Sequence, residues 1–186
     1  MTAALVVLAT LAMAMLAWGV FAYNRLVRLR NQAAAGWSDI DVQLQLRHDL
    51  VPMLVDTVRA YAGHERATLD SLSALRAQAM RTSSPTRLAE VEQSLEGAMS
   101  RLLLLREDYP DLKANAHFMQ LQRDLVAIED RLQYARRFYN GAVRDLNDGV
   151  QIFPQLLVAR MFGFRQAEFF DAPAGTERAP TVERPQ

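Results

Sequence analysis

From Thr2 to Tyr23 the chain carries no charged residue. That one run constrains everything that follows it. At about 1.5 Å of rise per residue, a helix over Ala3 to Tyr23 reaches across the roughly 30 Å of a bilayer's hydrocarbon core. A cleaved signal peptide is the competing reading. It requires a basic leader, an apolar core of about 7 to 15 residues and a small-residue cleavage site. Here only Met1 and Thr2 precede the apolar run, and the run is longer than such a core. Residues 1–24 are therefore expected to be a transmembrane anchor, residues 25–170 a helical body, and residues 171–186, which are mostly Pro, Ala, Thr, Glu and Arg, a disordered polar tail.

Trp18 and Tyr23 lie near the far end of the run, where amphipathic rings favour the interface, and Arg25, Arg28 and Arg30 follow before the first acid at Asp39. Because Arg is retained on the cytoplasmic side, the charges predict a single-pass protein of the bacterial inner membrane. Its N-terminus would be outside and its bulk cytoplasmic. The alternative is a periplasmic or extracellular body.

Net charge is +0, so no overall field draws the chain to nucleic acid. The absence of Cys removes disulfides, thiolate metal sites and thiol nucleophiles.

Beyond the anchor the pattern is helical. Trp37, Ile40, Leu44, Val51, Leu54, Val58 and Tyr61 are spaced by threes, fours and one seven, and Leu69, Leu72 and Leu75 continue the stripe to about Arg81. This predicts one long helix, kinked at Pro52, which removes the hydrogen bond to the His48 carbonyl. His48 and Asp49 are expected to bond the freed carbonyls. Ser84 and Pro85 form a start signal for a second helix to Glu107.

Tyr109 and Pro110 break that helix, and a third is expected from near Leu112. Its seam runs from Phe118 through Leu132 and Tyr139 to Phe153, and wants a partner along its length. Pro154 ends it, and Leu156 to Phe162 predicts a short fourth helix. Phe153, Phe162, Phe164, Phe169 and Phe170 are read as capping the open end of the bundle, with a partner-binding or membrane-surface patch as the alternative. No Asp or Glu of the body has Arg or Lys four positions later. The charges are expected either to pair between helices or to be solvated. The fold class is thus all-α, with an N-terminal transmembrane helix followed by an antiparallel bundle of three to four long helices.

His48, His64 and His117 belong to no helical metal motif, and the body's glycines are single rather than clustered into a phosphate loop. No nucleophile elbow is present. Neither catalysis, nor a metal, nor a cofactor, nor a small-molecule substrate is expected.

Three blocks, in order, resemble the LemA family: Tyr23 to Gln32 (YNRLVRLRNQ), Trp37 to Glu65 (WSDIDVQLQLRHDLVPMLVDTVRAYAGHE), and Pro110 to Phe164 with DLKANAHFMQLQRDL, ARRFYNGAVRDLND and FPQLLVARMFGF. Met53 and Gly141 depart from the family's usual text. The resemblance implies an anchored helical bundle and offers no agreed activity. Within these blocks, structural or interaction roles are expected for Trp37, His48, Asp49 and Pro52. The same is expected for Phe138, Tyr139 and Asn140, and for Phe153, Pro154, Phe162 and Phe164. The function expected is a non-enzymatic scaffold or adaptor of the cell envelope, whose first body helix would extend about 80 Å. Its partners would be the lipid bilayer and either itself or an envelope protein. The alternative is a sensory or membrane-shaping module that signals through or assembles along its helices.

Overall fold

The computed structural model describes residues 2–170. They form α1 (Thr2–Arg59), α2 (Arg66–Ala79), α3 (Pro85–Leu104), α4 (Pro110–Lys113), α5 (Ala116–Gln151) and α6 (Gln155–Met161), with a 3₁₀ turn at Leu105–Glu107. No strand occurs among the described residues, and the fold is all-α. The tail expected over 171–186 lies outside the described residues.

Two compact units make up the chain. An anchor unit comprises 2–38 and 137–167; a bundle unit comprises 39–136 and 168–170. The division expected at residue 24 falls within the anchor unit.

In the bundle unit, the apolar stripe of α1 buries Ile40, Leu44, Val51, Leu54 and Val58. Of these, Val51, Leu54 and Val58 meet Leu69 and Leu72 of α2, Leu95 and Leu102 of α3, and Phe118 and Leu121 of α5 in a shared core. Each such side chain contributes about 1.5–3 kcal/mol of burial, opposed by chain entropy. Directions follow from contacts at two levels. Arg47 pairs with Glu129, and Asn115 donates to the Tyr61 hydroxyl at 2.9 Å. So α5 runs antiparallel to this part of α1.

The single helix expected to reach Arg81 is instead two. After Arg59 the chain turns, with Tyr61 and Ala62 N–H groups both bonded to the Val58 carbonyl and Glu65 N–H to Ala62 at 3.0 Å. The physical reason is burial: Leu69 and Leu72 reach the same core as Val58 only if α2 folds back. The third helix also starts differently. Pro110 opens the short α4, and α5 begins at Ala116, where the Asn115 side chain accepts the Phe118 N–H at 2.9 Å as an N-cap. Ser84 precedes Pro85 at the start of α3 as expected, but its hydroxyl donates to Glu168 at 2.9 Å rather than capping the helix.

The anchor unit is built on close approach. As α1 is followed backward, α5 is met forward: Gly36 faces Phe138 and Tyr139, and Leu29 and Leu26 face Gly149. A Cβ at Gly36 would lie 3.0 Å from Phe138 Cδ1 and 3.1 Å from Tyr139 Cα, so only glycine fits without displacement. The helix α5 ends at Gln151, two residues before the expected seam does, and Phe153 is 73% exposed rather than packed. Helix α6 follows, and a Schellman cap closes it: Gly163 has φ of 70°, Phe164 N–H bonds to Ala159 at 2.9 Å and Gly163 N–H to Arg160. Asn147, buried on α5, holds the segment beyond. Its amide donates to the Ala167 carbonyl at 3.1 Å and its oxygen accepts the Ala167 N–H at 2.8 Å.

Candidate functional site

Each unit contains one concentration of unusual side chains. In the bundle unit it is a buried ion cluster. Arg47 occupies the place in the α1 stripe that the step of seven from Leu44 to Val51 leaves open, and it is 1% exposed. Its guanidinium donates to Glu92 Oε2 at 3.2 Å and to Glu129. Glu92, fully buried on α3, also accepts from His48 Nε2 at 2.6 Å. Burial pulls the Arg47 pKa below its ordinary value, and the neighbouring Glu92 carboxylate opposes that shift. Every oxygen of Glu92 is thereby engaged inside packed helices. Only Glu129 leaves the cluster partly exposed, and the cluster fixes which levels of α1, α3 and α5 lie side by side.

Next to the cluster, Arg76 Nε on α2 donates to the His48 carbonyl at 2.6 Å. This is the carbonyl that Pro52 leaves without its helical donor, and α1 continues through Pro52. The expectation that His48 and Asp49 serve the freed carbonyls is thus corrected. The His48 side chain goes to Glu92, and the Asp49 carboxylate, an acceptor only, takes the Gln45 amide at 3.1 Å.

The anchor unit's counterpart is apolar. Residues 2–18 of α1 are exposed along their whole length, and the described residues hold one helix long and apolar enough to cross a membrane. At the C-terminal end of that stretch, residues 15–23 form one wall of a groove of about 490 Å³. The other wall is Val158, Met161 and Phe162. The Tyr23 ring meets Phe162 at 4.8 Å and Phe164 at 5.8 Å between centroids, and Arg30 lies over Phe164 at 5.4 Å. Ile152, Phe153, Leu157, Met161 and Phe162 are each more than half exposed.

The residues singled out from the sequence therefore fall into separate groups. Trp37 and Tyr139 meet at 5.4 Å, with Phe138 against Gly36, and Asn140 half-buried beside them in sequence. Phe162 and Phe164 converge on Tyr23, whereas Phe153 and Pro154 are exposed at the entry to α6. Phe169 and Phe170 belong to the bundle unit, where Phe170 is fully buried with Arg136 over its ring at 5.2 Å. The aromatics read as one cap are thus not one group. Sequence reasoning missed Arg47, Arg76, Glu92 and Glu129. The signal was there for two of them: Arg47 fills the gap of seven in the stripe, and Glu92 falls four after Leu88 and three before Leu95.

Among the described residues no group of three or more His, Cys, Asp or Glu is placed to hold a metal ion. Comparison with known proteins gives relatives consistent with a membrane-associated helical protein. The chain is 24% identical to the magnetosome protein MamQ 2 of Paramagnetospirillum magneticum and 23% identical to MamQ of Magnetospirillum gryphiswaldense. Each match covers 82% of this chain and 66% of the relative, so the chain spans just under two thirds of these proteins. It is 25% identical to the protein LemA of Metamycoplasma hominis, over 80% of this chain and 68% of that protein. A profile of the LemA family matches residues 36–183, well over half of the sequence. With that match, and the all-helical architecture behind it, the chain belongs to the LemA family.

Proposed function

We propose that this protein is a membrane-anchored, non-enzymatic helical scaffold or adaptor of the bacterial envelope. It spans the inner membrane once, with its N-terminus outside and its helical body in the cytoplasm. The observation that carries the reading is the exposed apolar stretch of α1 and its unbroken helical continuation into packed residues. Left in water, side chains such as Leu5, Leu8, Leu11 and Leu16 would each forfeit about 1.5–3 kcal/mol of burial, which a lipid environment restores. The magnetosome and LemA relatives support the membrane setting. The buried Arg47, His48 and Glu92 of the bundle unit pair with one another and with Glu129, which favours a surface role over chemistry inside the fold. Surfaces for a second copy or an envelope protein lie along the helices.

The test is in vivo topology, with phosphatase and fluorescent-protein fusions after Phe170. Fluorescence without phosphatase activity is the expected outcome; phosphatase activity would reverse the orientation. Light scattering of the full chain in detergent, or covalent cross-linking in intact membranes, reads the scaffold part. A strictly monomeric chain without cross-linked partners would remove it.

A further inference from the structure

We infer that α6 and its flanks, from Ile152 to Phe164, are a second membrane contact: a short segment lying in the interface of the bilayer that α1 crosses. This rests on the reading of α1 as a membrane span and extends it.

Depth is the first argument. Val158, Met161 and Phe162 share a groove with Met15, Leu16, Trp18 and Val20, residues inside the uncharged run rather than beyond it. If those residues are in lipid, α6 is at their level. The second argument is its unpartnered surface. Ile152 (58%), Phe153 (73%), Leu157 (58%), Met161 (73%) and Phe162 (54%) expose large apolar side chains within eleven positions of one another, on a segment otherwise held firmly by the Schellman cap and by Tyr23.

Charge is the third argument, and it selects lipid over a protein partner. The anchor unit carries seven Arg and two Asp, a formal charge of +5. Residues 149–167, which contain α6, have Arg160 and Arg165 and no acid. Arg25, Arg28 and Arg30 follow the run on the other wall. An apolar face bordered by arginines that outnumber the unit's two acids, Asp145 and Asp148, matches acyl chains topped by anionic phosphate headgroups. Arg160, exposed on α6, can extend its head to the headgroups while its stem stays with the apolar face.

The chain's two tryptophans supply the controls. Trp18 lies in the run, whereas Trp37 follows Tyr23 by fourteen residues, about 20 Å along a helix. The full chain is reconstituted into vesicles of phosphatidylcholine and phosphatidylglycerol whose acyl chains carry bromine near the headgroup. Three single-tryptophan forms are compared, W37F, W18F and W18F/W37F/L157W, each first checked for native helicity by circular dichroism. The expected result is loss of about half the emission or more for the W37F form and for the form carrying L157W, with little loss for W18F. Quenching of the W37F form alone overturns the proposal and leaves the span intact. Quenching of neither removes the span reading and the proposal with it. Quenching of all three, W18F included, means that the whole unit lies against lipid and overturns the assignment to α6. M161W in the same background replaces L157W should that variant fail the helicity check.

Discussion

The two units are built from the same pair of long helices yet solve different problems. The anchor unit is cationic, at +5, and holds together by aromatic rings and by close helix contacts at Gly36 and Gly149. The described part of the bundle unit carries twelve Lys and Arg against sixteen Asp and Glu, a charge of −4. It packs branched aliphatic side chains around a buried ion cluster. A chain whose overall charge is zero is therefore not electrostatically featureless. Its charges are sorted along α1, which carries +3 up to Ser38 and −2 from Asp39 to Arg59, whereas α5 is neutral in both units.

The contrast can be broken most sharply at Glu92. In the Glu92→Ala variant, Arg47 keeps only its partly exposed pairing with Glu129, and the bundle unit is expected to lose about 3–5 kcal/mol. Hydrogen exchange in detergent should show α2 and α3 amides exchanging fast while those of 140–150 keep their protection. Equal loss in both would mean that the units fold as one. The reciprocal experiment is Gly36→Ala, which presses a Cβ on Phe138 and on the backbone of Tyr139. An expected cost of about 1–3 kcal/mol should fall on the amides of 140–150 and spare α2 and α3.

Arg76→Met tests a smaller term. It removes the donor to the His48 carbonyl, the group that Pro52 orphans, at about 1–1.5 kcal/mol. Adding Pro52→Ala should recover part of that loss, because the helical donor returns, and no recovery would disprove the link between Pro52 and Arg76. The smallest effect is expected at Glu107. Its hydrogen bond from Lys113, and the charges of Lys113 and Arg106, hold its carboxyl below the ordinary glutamate value. A lowered folded-state pKa stabilises at neutral pH and is lost as pH falls through that lowered value. The group is fully solvated and screened, so Glu107→Gln should leave thermal unfolding at pH 7 unchanged within the error of a melting curve.

Much of this architecture was legible in the sequence because apolar periodicity reports burial directly. The stripe Leu88, Leu95, Met99, Leu102 placed α3, and Pro154 placed the end of α5 within a few residues. What periodicity does not encode is where a helix turns back: Leu69 and Leu72 continue the spacing of Val58 as if the helix ran on, and only the need to reach one core separates α2 from α1. The ion cluster was hidden for a related reason. Charged residues in an apolar stripe look like interruptions until their partners, Glu92 and Glu129, arrive from helices more than forty positions away. For the anchor unit, single glycines gave no sign that Gly36 and Gly149 mark a helix contact while Gly141 faces open space.

The amide of Asn147 leaves a different kind of mark, on which substitutions the chain can survive. It grips residue 167 by that residue's own N–H and carbonyl, so it is indifferent to what side chain stands there. Drift at position 167 should be free for every residue but proline, which has no N–H to give. Position 147 has no such latitude: Asp keeps the acceptor and loses the donor, Leu loses both. A saturation library over the two sites would show one tolerant column and one intolerant one.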